Sequence, residues 1–144
     1  MSKRREGRET AVQLLFSRDF TPPGAEHEVD AFFELHSAGP KIREHAVKLY
    51  HGVVAHLEEI DRRLSGSLEN FSLERLAVVD RNILRLALYE MFYSNEVPPI
   101  VAINEAIEIS KRFGTPDSSR FVNGVLDRLK QDLTRPLREV RTAP

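Results

Sequence analysis

The chain has no cysteine. A disulfide framework, thiolate metal sites and a cysteine nucleophile are therefore excluded, and the composition fits a reducing cytosol. No apolar run approaches the roughly 18 residues that a membrane span requires. The N-terminus is basic but leads into Glu6 and Glu9 with no apolar segment behind it, which is not the pattern of a secretory signal. The expected location is the cytoplasm, with no membrane partner. Net charge is nearly absent as well. Lys and Arg number 21 against 22 Asp and Glu, leaving −1, so no global field favours nucleic acid or a lipid surface. Strand alternation is also nearly missing, whereas helical periodicity is everywhere.

What is present is a chain of 144 residues, 41% hydrophobic and 30% charged, enough for one domain with a real core. A first helix is predicted from about Lys3 to Phe20, with Ala11, Leu14, Leu15 and Arg18 on one side, ended by Thr21-Pro-Pro-Gly24. A short second helix places Val29, Phe32, Phe33 and His36 at helical spacing before Gly39-Pro40. The third is long: Ile42, Ala46, Leu49, Val53, Leu57, Ile60 and Leu64 step by threes and fours along one face, and Ser65-Gly66-Ser67 closes it. A fourth starts near Ser72, a candidate N-cap, and buries Leu76, Val79, Ile83, Leu86, Ala87 and Phe92 before Asn95–Pro99 stops it. The fifth turns Ile103, Ala106, Ile107 and Ser110 inward and ends at Gly114. The sixth buries Val122, Val125, Leu126, Leu129 and Leu133, then meets Pro136. About eight terminal residues are expected to be disordered. The fold class is all-α: two small three-helix bundles packed into one compact domain, residues 1–66 and 67–144.

No catalytic constellation can be assembled. All five histidines lie between His27 and His56. His45 and His56 share a helix face, but they stand about 16 Å apart along the axis at ~1.5 Å per residue, so one metal cannot bridge them. Neither a phosphate-binding glycine loop, a nucleophile elbow nor a paired His-Glu metal motif is present. No catalytic residue, metal site or cofactor is expected.

Three local features remain. Arg4, Arg5 and Arg8 crowd the start of the first helix, where the helix dipole disfavours cations. A polyanion would offset that penalty and their mutual repulsion; a frayed, solubilising start is the plainer reading. Arg81 and Arg85 form a like-charge i, i+4 pair, relieved only partly by Asp80 and Glu74, on a row that fits either a solvated face or a protein-docking face. Pro116-Asp117-Ser118-Ser119 is a helix start that Asp117 or Ser118 could cap. Its carboxylate could equally accept hydrogen bonds from base edges, and Phe121, one turn on, could stack a base or belong to the core. Gly124 within the same helix suggests a close helix contact.

Asp80–Glu90, Pro98–Ala106 with its Ala-Ile-Asn-Glu-Ala core, Phe121–Asp127 and the Arg8–Phe16 segment together resemble the NusB family of transcription antitermination factors, over about Arg4 to Leu129. That resemblance implies an all-helical fold of two three-helix subdomains and no enzyme activity of its own. It implies binding to single-stranded boxA RNA through Arg4, Arg5, Arg8, Phe16, Asp117 and Phe121. It further implies docking of NusE, a small-subunit ribosomal protein, through Glu74, Asp80 and Arg81. The complex would join RNA polymerase and suppress premature termination on ribosomal RNA operons. Some relatives self-associate, which leaves a homodimer open. Members often carry tyrosine at Phe16 and a denser arginine run where Glu6 and Gly7 stand. Two other readings compete: a detached targeting module of an RNA methyltransferase, and a helical scaffold that works by dimerisation alone.

Overall fold

A computed structural model describes residues 2–22, 29–69 and 71–140. Seven helices cover most of them: α1 (Lys3–Asp19), α2 (Val29–Leu35), α3 (Pro40–Ala55), α4 (Leu57–Ser67), α5 (Val78–Phe92), α6 (Pro99–Phe113) and α7 (Ser118–Leu129). No strand occurs among the described residues.

The helix boundaries follow local chemistry. Ser2 caps α1 by accepting the Arg5 N–H at 3.1 Å, which satisfies one of the orphan donors of the first turn. Pro40 and Pro99 open α3 and α6, where proline's missing N–H costs nothing and its φ is already helical. Gly114 ends α6, its N–H returning to the Ser110 carbonyl at 2.9 Å, with Lys111 and Arg112 in the last turn complementing the dipole.

Two boundaries differ from the sequence reading. The long third helix is two helices, broken at His56, whose backbone leaves helical geometry at φ −114° and ψ 15°. The His56 N–H turns back to Val53 and its carbonyl receives Ile60, so one residue closes α3 and opens α4. The helix expected from Ser72 begins at Val78 instead. Leu73–Arg75 forms a separate 3₁₀ turn, and the Ser72 side chain makes no capping bond. Leu137 is also held, its carbonyl accepting the Ile100 N–H at 2.9 Å, so the disordered tail expected from the sequence does not include it. Of the rest of that expected tail, residues 141–144 lie outside the described residues.

α5 occupies the centre. Asn82 through Leu88 are all buried, the pattern of a helix enclosed on every side, and α5 packs against α1, α3, α4, α6 and α7. α1 lies along α3. Gly7 permits that approach, because a Cβ there would stand 2.5 Å from the His45 ring. One continuous apolar cluster runs from Ala11 and Leu14 through Val53, Ile60 and Leu84 to Val122 and Leu129.

Candidate nucleic-acid interface

The three N-terminal arginines have three different fates. Arg4 is exposed. The Arg5 side chain, 38% exposed, donates its Nε–H to Glu105 Oε2 at 2.7 Å. That hydrogen bond, with the charge of Glu105 behind it, holds the Arg5 guanidinium above its ordinary pKa. Arg8 is buried. It lies on the stripe of Ala11, Val12 and Leu15, and its guanidinium makes a two-point pair with Glu90 at 2.8 and 2.9 Å. A charge so enclosed must be paired to be tolerated. Glu105 Oε1 stands 3.8 Å from Arg8 Nη1 as well.

The expectation that a polyanion would offset the mutual repulsion of these three arginines is therefore corrected for Arg8. Two carboxylates from α5 and α6 already relieve two of the three charges. Arg4 and Arg5 are the members that reach solvent.

α6 supplies cations that the sequence reading missed. Arg112 Nη1 reaches both oxygens of Glu9, at 3.0 and 2.6 Å, and Lys111 Nζ pairs with Glu108 at 3.1 Å. With Arg5, Glu9, Glu108 and Ile109 they line a cleft of about 300 Å³ between α1 and α6. In sequence, Lys111-Arg112 reads simply as a dipole complement at a helix end. The pairs Arg5–Glu105 and Glu9–Arg112 show that α1 and α6 run side by side in the same sense. Further along that seam Phe16, 38% exposed, borders an apolar groove of about 670 Å³ with Val12, Phe32, Leu35 and Phe113. Its ring lies 4.9 Å from that of Phe20.

Beyond Phe113 and Gly114 the chain turns into α7. Asp117 stands at the N-cap position, but its carboxylate makes no capping hydrogen bond and is exposed. The turn is tied instead by Ser118 Oγ, which accepts the Thr115 N–H at 2.9 Å. Phe121 is half-buried, edge-on to Phe71 at 6.4 Å. Phe71 was not singled out in the sequence. It sits in a connection between helices, where no periodicity marks it. Gly124 does not serve a close contact: beyond its chain neighbours and the backbone of its own helix, no atom of the described residues lies within 4 Å of where its Cβ would stand.

On the opposite flank the fourth-helix residues separate too. Glu74 is exposed in its 3₁₀ turn. Asp80 is buried, and Arg81, with 15% of its side chain exposed, pairs with Asp19 at 3.2 Å. Arg85 binds Asp61 through two bonds, at 2.8 and 2.9 Å, and lies 3.3 Å from Asp19. The repulsion between Arg81 and Arg85 is thus relieved inside the molecule, by residues 20 or more positions away, and needs no partner. Of Glu74, Asp80 and Arg81, Glu74 is the exposed one.

A profile described as the NusB family matches residues 5–131. The transcription antitermination protein NusB of Desulforamulus reducens is 45% identical over 126 residues, 88% of each chain. That of Bacillus velezensis is 45% identical over 140 residues, 91% of this chain and 98% of its own. Among solved structures, NusB of T. maritima superposes with a TM-score of 0.79 at 39% identity, covering 92% of this chain and 93% of that one. A crystal structure of the antitermination factors NusB and NusE in complex with dsRNA matches with a TM-score of 0.76 at 29% identity, over 92% and 98%. No helix among the described residues is long and apolar enough to cross a membrane. By fold, by length and by residue identity along nearly its whole extent, this chain belongs to the NusB family, a family of transcription antitermination proteins that are not enzymes.

Proposed function

We propose that this protein binds single-stranded boxA RNA together with NusE, and that the complex joins RNA polymerase to keep it transcribing through ribosomal RNA operons. One observation carries the reading: the likeness over 92% of the chain to the NusB of a NusB–NusE–RNA crystal structure. The RNA there is double-stranded. The preference for a single strand is supported here by aromatic rings that a paired base cannot reach. Phe16 and Phe121, with Phe71 beside it, offer faces or edges at the surface, and unpaired bases stack on such rings for roughly 1–3 kcal/mol each.

In this reading Arg4 and Arg5 contact phosphates, Asp117 accepts hydrogen bonds from base edges, and Arg8 fixes the helix that carries the other two arginines. NusE docks at Glu74, with Asp80 and Arg81 holding the helix beneath it. The test is a titration of boxA RNA with and without NusE at several salt concentrations. Two phosphate contacts at roughly −0.7 each give a log–log slope near −1.4, and NusE should tighten binding. Sedimentation of the free chain in the same buffers checks whether a homodimer competes. A folded chain that ignores boxA RNA even with NusE present would overturn the proposal.

A further inference from the structure

Glu105 is placed oddly for a residue beside an RNA site. Its carboxylate, 16% exposed, faces Arg5 at 2.7 Å and Arg8 at 3.8 Å. Arg8 does not need it, because Glu90 already neutralises that charge through two hydrogen bonds. The charges of Arg5 and Arg8 are therefore matched by those of Glu90 and Glu105. A phosphate drawn toward Arg5 meets a carboxylate already seated on the same guanidinium.

Resting on the reading of Arg5 as a phosphate ligand, we propose that Glu105 is an intramolecular antagonist of RNA binding, and that a backbone phosphate takes Arg5 only by exchanging with this carboxylate. The pair is suited to exchange. Arg5 is bound through Nε alone, on a side chain more than a third exposed, whereas Arg8 is locked at two points in the core. The adjoining cleft between α1 and α6, about 300 Å³ and lined also by the pairs Lys111–Glu108 and Arg112–Glu9, gives the incoming phosphate room beside the released arginine. The consequence is a low affinity for any polyanion that brings phosphates alone. Ligands that add base contacts, or arrive with a second protein, overcome the exchange.

The experiment compares wild type with Glu105→Gln, using boxA RNA and an oligouridylate of equal length. A unit charge about 5 Å from a phosphate in watery surroundings changes affinity by roughly three- to fivefold. Glu105→Gln should tighten binding of both RNAs by that factor and steepen the salt slope by up to about one contact, roughly 0.7. In an Arg5→Gln background the gain should vanish. Thermal melts confirm folding. Should glutamine perturb the fold, Glu105→Asp, which keeps the charge but withdraws it by one methylene, should give a smaller gain of the same sign. Unchanged or weakened binding by folded Glu105→Gln, or a gain that persists without Arg5, overturns the antagonism while leaving the RNA reading intact. If neither wild type nor variant binds either RNA even with NusE present, the proposed function itself fails.

Discussion

Arg8 and Glu90, separated by 82 residues of sequence, form a two-point ion pair whose side chains are 3% and 4% exposed. Removing one partner strands the other as a buried charge, a change that typically costs 3–5 kcal/mol. Arg8→Ala should therefore destabilise the fold by about 3 kcal/mol, lowering the melting temperature by roughly 6–12 °C for a chain of this size. The double change Arg8→Met with Glu90→Leu should recover most of it. Calorimetric melts of the three proteins decide the matter. Loss of RNA binding in Arg8→Ala must be read beside its melt, because this arginine supports the surface from within.

Two glycines should respond oppositely to alanine. Gly124 has open space at its Cβ position, and in α7 alanine removes glycine's entropic penalty, so Gly124→Ala should stabilise by about 0.5–1 kcal/mol. At Gly52 a Cβ would stand 2.2 Å from the Tyr89 ring, and Gly52→Ala should cost roughly 1–3 kcal/mol by overpacking. Urea midpoints at constant m-value report both. A destabilised Gly124→Ala would mean that the helix face carries a contact absent from this structure.

His45 makes stability depend on pH. Burial, then the nearby charge of Arg8, lowers its pKa from the ordinary 6.5, and Nε2 has no hydrogen-bond partner among the described residues. On acidification the unfolded chain takes up the proton first, so it holds more protons than the folded chain and stability falls as pH drops below about 6.5. His45→Gln should flatten the stability profile between about pH 7 and 5.5. An identical slope in the variant would assign the loss to other groups.

Asp117→Asn should leave the melting temperature unchanged, since the carboxylate makes no capping bond that could be lost. The amide replaces a pure acceptor with a donor and acceptor, so the ranking of boxA variants in competition binding should shift. A lowered melt with unaltered ranking would return the residue to a structural role.

The helices were legible because breakers and stripes agree. Pro40, Pro99 and Gly114 fall where α3, α6 and the end of α6 require them, and Leu14, Leu49, Ile83 and Val122 all lie in the core. The break at His56 was hidden because Leu57, Ile60 and Leu64 keep the same helical phase across it, so the apolar face continues while the axis does not. The ion pairs were hidden by distance along the chain. A signal existed: Arg8 sits on the stripe of Ala11, Val12 and Leu15, and Glu90 on that of Ile83, Leu86 and Ala87. Opposite charges, each on an apolar stripe, can be read as candidates for one another. Asp19, Asp61 and Arg85 carry less of this pattern, and only the packing of α1, α4 and α5 brings them together.

α1 is fastened to α5 at both ends, by Arg8 to Glu90 and by Asp19 to Arg81, Asn82 and Arg85. The anchors are 11 residues apart, about 16 Å of helix. A rod pinned twice cannot tilt toward a ligand at its tip. Whatever meets Arg4 and Arg5 must do the bending, so a flexible strand can conform to this template and a stiff duplex meets it only where its own curvature allows.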